Sequence, residues 1–461
     1  MKKLVTVLFL ILFFIHSYSQ NMTFQVEFSK NYATLDFLNN ISSTRQTNPY
    51  KKAFNKSKYN TEKYNQLLKA FANINIFYSY EFPQYPYGNK IGGNTYFILN
   101  RNLLESSNLE EFKKKSFGII PNEDLNKLYN ILVEFQPIYE DLIYIPCKPL
   151  FEKQLKNIQS LVAAVDIDSP FKQLLHFHKS NWDLNLPFKM YISPIPDERK
   201  IGFTATAFYN LAIAGIPQGF DNYKQLLAVM FHESFHILYD EQSLKVKEDI
   251  ASWFNANDSK NANYAQLLFN EAITTATANG YLYKNLAGTL PKGNWYNNKY
   301  IAEMAQKMYP LVKTYLDEKK QIDQKFINKY IALMDNEFPQ WLYDIDHVLM
   351  QRYIISESKD AYRNLSKKHR YSNINEYRNT ISALTIQEMK GHPITKVIIV
   401  TNNNEKHLSL IKNSFQELKH WAPKPNSNFA FTTFLSDKTH LIIINSLSED
   451  ISGLLENLHI K

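Results

Sequence analysis

Two histidines four residues apart, His232 and His236, stand with Glu233 directly after the first, in the pattern HExxH within DNYKQLLAVMFHESFHILY, Asp221 to Tyr239. Residues at i and i+4 of an α-helix share a face, so both imidazoles can reach one ion at bonds of roughly 2.0–2.1 Å. Glu233 lies about 100° round the helix from His232, a position that suits contact with a metal-bound water better than contact with the metal. That is the place of a general base. Burying two histidines and a glutamate in an apolar helix is costly unless they are paired or coordinated, and a metal supplies that compensation.

The stretch carrying these residues reads as one helix. Asp221 is the expected N-cap, no Pro or Gly interrupts the run, and Leu226, Leu227, Val229, Met230, Phe231, Phe235, Ile237 and Leu238 make it apolar nearly all round. Such a helix belongs inside a domain. Before it the pattern is that of strands, Lys189 to Ser193, Phe203 to Tyr209 and Leu211 to Ile213. After it comes a charged, Asn-rich linker, 240–261, and then a second long helix from Ala262 to about Tyr283. Glu271 on that helix shares a face with Leu267, Leu268, Thr275 and Ala278, which favours close helix packing. A two-histidine site is one ligand short, and Glu271 is the expected third. By contrast His176 and His178, two apart near the end of the expected helix Pro170 to Lys179, fall on different faces and read as surface or boundary residues.

The pair of motifs His232-Glu233-Ser234-Phe235-His236 and Asn270-Glu271-Ala272-Ile273-Thr274 resembles the thermolysin-like, or gluzincin, branch of the zinc metallopeptidases. The resemblance covers about 187–283. It implies His232, His236 and Glu271 as Zn2+ ligands, Glu233 as the catalytic base, and hydrolysis of peptide bonds by a zinc-bound water that Glu233 activates. It also implies a zincin-like α+β core, a small sheet followed by the HExxH helix and the glutamate helix. Thr275 stands where that family often has an aspartate, so a carboxylate orienting a ligand histidine is missing or supplied elsewhere, with Asp240 as its expected source. Tyr239 and Gln242 occupy the places that the glycine and third histidine of the metzincin pattern need, which excludes that pattern. An oxyanion donor is also required; Tyr296, Tyr300 and His347 all follow Glu271, and nothing in the sequence selects among them.

The rest of the chain frames this core. Lys2 and Lys3 precede an apolar run, Leu4 to Ile15, and Ser17 and Ser19 occupy the small-residue positions read by a signal peptidase. A signal peptide over 1–19 and a secreted or periplasmic protein are therefore expected. The one cysteine, Cys147, lies far from the leader, so neither a lipid anchor nor an internal disulfide is expected. The formal net charge of +8 is thinly spread, and the densest basic clusters, 113–115 and 367–370, are short, which gives no support to a nucleic-acid partner. No later run is long and apolar enough to span a membrane. The expected partner is a peptide or protein substrate. The expected order is a mainly helical N-terminal region over 20–165, the metallopeptidase core over 166–358, a linker over 359–395 and a small C-terminal α/β unit over 396–461. A non-catalytic exported binding or assembly protein on a peptidase-like scaffold is the rival expectation; a base beside the histidines favours catalysis.

Overall fold

A computed structural model describes residues 24–42, 48–90, 92–198 and 204–460; the expected signal peptide lies outside the described residues. The chain is mixed α/β with helix predominating, and it divides into two compact units. The first comprises 1–81, 92–175 and 180–241, the second 82–91, 176–179 and 242–461.

The first unit is built on a four-stranded sheet of β1 (Phe24–Glu27), β2 (Phe188–Ile195), β3 (Thr204–Phe208) and β4 (Leu211–Pro217), in the order β1-β2-β4-β3. β1 and β2 pair in parallel, as do β2 and β4, while β3 runs antiparallel along β4 at the end of the sheet. The register sets Tyr191 and Thr206 on either side of Ile213, so these side chains share one face. That face is covered by an apolar core from α1 (Lys30–Ser42), α2 (Pro49–Asn55) and the helix Asn122–Tyr139, including Leu35, Phe37, Phe54, Leu132 and Phe135. Successive strand residues point to opposite faces, so Ala205, Ala207, Ala212 and Ala214 present small side chains on the other face. The helix α3 (Tyr223–Asp240) packs against β3 and β4. Within 20–165, expected to be mainly helical, β1 joins this sheet.

In the second unit, α4 (Leu244–Asn255) occupies most of the expected linker 240–261. Its charged residues hide an amphipathic pattern in which Lys247, Ile250, Ala251 and Phe254 are buried, with Ser243 as N-cap. The helix α5 (Ala262–Thr275) continues through a π-helical turn, Ala276–Leu282. At the C-terminal end is a five-stranded sheet of β5 (Gln351–Ser356), β6 (Ile374–Arg378), β7 (Thr395–Val400), β8 (Phe429–Phe434) and β9 (His440–Asn445), in the order β8-β9-β7-β5-β6. All its pairings are parallel except that of β8 with β9. The runs Tyr353 to Ile355, Val397 to Val400 and Leu441 to Ile444 are fully buried, as central parallel strands covered on both faces must be. Two separate apolar clusters, one holding Ile354, Val397 and Ile442 and the other Ile355, Ile398 and Ile443, lie on the two faces.

This sheet differs from the expectation in two places. Asp344 to Ser356 reads as a helix, but only Ile345–Val348 is helical, with Asp344 capping it, and the rest is β5. A short apolar run fits a buried strand or a buried helix equally until its neighbours are known. The stretch 359–395, expected as a linker, carries the helices α6 (Lys359–Lys368) and α7 (Ala383–Lys390) and the edge strand β6. The α/β fold therefore includes β5 and β6 ahead of the segment 396–461.

Candidate metal centre

α3 starts one residue later than its expected cap: Asn222, not Asp221, accepts from the Gln225 backbone N–H through its side chain. Eleven residues of α3 are buried, among them Met230, Phe231, Phe235 and Leu238. Aromatic packing fixes one side of it, with the Phe231 ring edge-on to Phe24 of β1 at 5.0 Å and tilted against Phe235 at 6.0 Å. His232 is 3 % exposed, whereas Glu233 and His236 are half-buried. The two imidazoles meet through their Nε2 atoms at 3.0 Å, their rings nearly perpendicular. The helical spacing read from the sequence thus brings both Nε2 atoms to one point.

Glu271 sits in the last turns of α5, half-buried. It belongs to the second unit, whereas His232 and His236 belong to the first. Two ligand atoms of a tetrahedral ion with bonds of about 2.0–2.1 Å are roughly 3.4 Å apart, so the histidine pair is near that spacing. Two imidazoles and one carboxylate are the donor types that zinc takes in catalytic sites with an open fourth position.

The surroundings of Glu271 distinguish the three expected oxyanion donors. Tyr296 hydrogen-bonds with Glu271 and with Tyr371, and burial together with the nearby carboxylate raises its phenol pKa far above the ordinary value. Burial and the Glu271 charge push Tyr371 up to about 12. Both phenols therefore stay protonated through neutral pH. Tyr300 and His347 belong to an aromatic cluster with Trp341, in which His347 Nδ1 bonds with the Trp341 carbonyl at 3.0 Å. Burial lowers His347 to about 4, leaving it neutral, and burial with the nearby Asp344 carboxylate raises the Tyr300 phenol. Tyr371 escaped the sequence reading because it stands between α6 and β6 in the expected linker, and no local pattern marks it.

The remaining expectations resolve as follows. Thr275, at the end of α5, is fully buried, and Asp240 is the last residue of α3, one turn beyond His236. His178 is fully buried against the ring of Phe177 rather than at the surface or boundary, while His176 is exposed and meets the Lys319 carbonyl. Among the described residues no helix is long and apolar enough to cross a membrane. No family model matches this chain, and neither a curated protein nor a solved structure matches it.

Proposed function

We propose that this protein is an exported zinc-dependent peptidase, with His232, His236 and Glu271 as zinc ligands and Glu233 as general base. The observation that carries the reading is the meeting of the His232 and His236 Nε2 atoms at 3.0 Å on a largely buried helix, with Glu233 beside them on the same helix. Zinc held there would supply Lewis-acid polarisation of a carbonyl and a water acidified to a pKa of about 7. Glu233 takes the proton of the attacking water and delivers it to the departing amine. The protonated hydroxyls of Tyr296 and Tyr371, beside Glu271, supply donors to the peptide oxygen as negative charge develops on it. β3 is the end strand of its sheet, and an extended substrate can add to that edge through main-chain hydrogen bonds.

The test combines metal analysis with hydrolysis of a mixed peptide pool. Protein purified without chelators is expected to hold about one zinc per chain. Glu233→Gln keeps the shape and hydrogen bonding of the side chain, so zinc stays while hydrolysis falls by about 10²–10⁴. Glu271→Ala removes a ligand, so zinc affinity itself falls. Protein that holds no zinc and gains none from zinc-containing buffer overturns the metal assignment, and undiminished cleavage by zinc-loaded Glu233→Gln overturns the base. If wild type and variant both hold zinc and neither cleaves any peptide, the chain is a binding or assembly protein on a peptidase-like scaffold.

A further inference from the structure

On the sheet face that α1 and α2 cover, the packing leaves a cavity of about 400 Å³. A water occupies about 30 Å³ of liquid, so this space holds far more than one, and it falls within the range of small-molecule sites. Its walls combine the rings of Tyr32 and Tyr50, the aliphatic side chains of Ile195 and Ile213, and the polar side chains of Asp36 and Asn40. Among the described residues that line it, Asp36 is the only charged one.

The Asp36 carboxylate is poorly compensated. It has no ion-pair partner among the described residues. Asn40 Nδ2 reaches its Oδ1 at 3.2 Å, but lies closer, at 2.8 Å, to the Asp36 backbone carbonyl. Tyr50 also hydrogen-bonds Asp36, yet its hydroxyl lies 3.1 Å from the Pro194 carbonyl, and one phenolic proton cannot serve both acceptors at once. An ionised carboxylate offers about four acceptor sites, so these contacts leave most of its capacity for a ligand on the cavity wall. Desolvation lifts its pKa to about 6 against the hydrogen bonds that oppose the rise.

We propose that this cavity binds an alkylammonium group, with Asp36 as its counter-ion, Tyr32 and Tyr50 as ring faces for the cation, and Ile195 and Ile213 as the wall for its carbon chain. An ammonium supplies three donors and a positive charge to a carboxylate short of both. The aromatic rings add attraction for a desolvated cation, and the aliphatic wall excludes a fully hydrated inorganic ion. All the lining residues belong to the first unit, and the site stands whether or not His232 and His236 hold a metal.

The test is calorimetric titration of the full chain, as purified, with n-butylamine, with its uncharged counterpart n-butanol, and with Nα-acetyl-lysine methylamide. Butylamine is expected to bind at least ten-fold more tightly than butanol, and Asp36→Asn to lose at least ten-fold for the amine. Binding of the lysine derivative as well identifies a peptide lysine as a source of the group; binding of butylamine alone restricts the site to free amines. Butylamine binding no tighter than butanol overturns the proposal, and that comparison needs no variant. Amine binding that survives Asp36→Asn also overturns it, because an amine held at the histidine cluster would behave in that way.

Discussion

Replacing Asp36 by asparagine is expected to stabilise the protein at alkaline pH and to change little at acid pH. The carboxyl group is half-buried on the cavity wall, and its pKa rises from 3.8 to about 6, chiefly through desolvation and against the opposing hydrogen bonds from Asn40 and Tyr50. A carboxyl whose folded pKa is raised binds its proton more tightly when folded. The resulting stability is fully present below about pH 4 and is lost as pH rises through about 6. At about 1.4 kcal/mol per pH unit, a shift of roughly two units amounts to about 3 kcal/mol, an upper bound because water in the cavity screens the charge. The neighbours do not confuse the measurement: Tyr32, Tyr50 and Tyr96 are all shifted upward, Cys147 is raised to about 11, and none changes charge between pH 4 and 8. Asparagine keeps an acceptor oxygen and cannot ionise, so the two proteins share every other titration. Urea unfolding of dialysed wild type and Asp36→Asn at pH 4, 6 and 8 reads the difference directly. It should be small at pH 4 and favour the variant by up to about 3 kcal/mol at pH 8. A difference that stays constant across this range, or that grows in favour of wild type, refutes the argument.

Truncation after Pro393 removes β7, β8 and β9, and so strips β5 of a neighbour and uncovers the buried Tyr353, Ile354 and Ile355. Each such side chain loses about 1.5–3 kcal/mol on exposure, so the truncated chain is expected to be insoluble; a soluble product with native helix content by circular dichroism would show that the sheet tolerates the cut. Gly280→Ala places a methyl group 2.6 Å from the Trp295 ring and 2.9 Å from that of Tyr309, inside the π-helical turn after Glu271. This overpacking is expected to destabilise by about 1–3 kcal/mol in denaturant titration, and an unchanged midpoint would mean that both rings move aside without cost.

Sequence alone settled the elements whose signals are local. The period of apolar residues in α3 required a buried helix, and its 3.6-residue turn put His232 and His236 on one face with Glu233 beside them. The strands β2, β3 and β4, the helix carrying Glu271 and the order of elements after β7 were legible for the same reason: each is encoded by the residues within it. Tertiary structure decided the rest. β5 became a strand because its apolar run found parallel neighbours on both sides, and 359–395 became part of that sheet because β6 pairs with β5. Periodicity is silent about both facts. Tyr371 and Tyr296 come together beside Glu271 only through contacts between residues far apart in the chain. The Asp36 cavity is the clearest case. An aspartate on an amphipathic helix reads as solvated until α1 is laid on the sheet, and only that packing half-buries its carboxyl on the wall of a cavity.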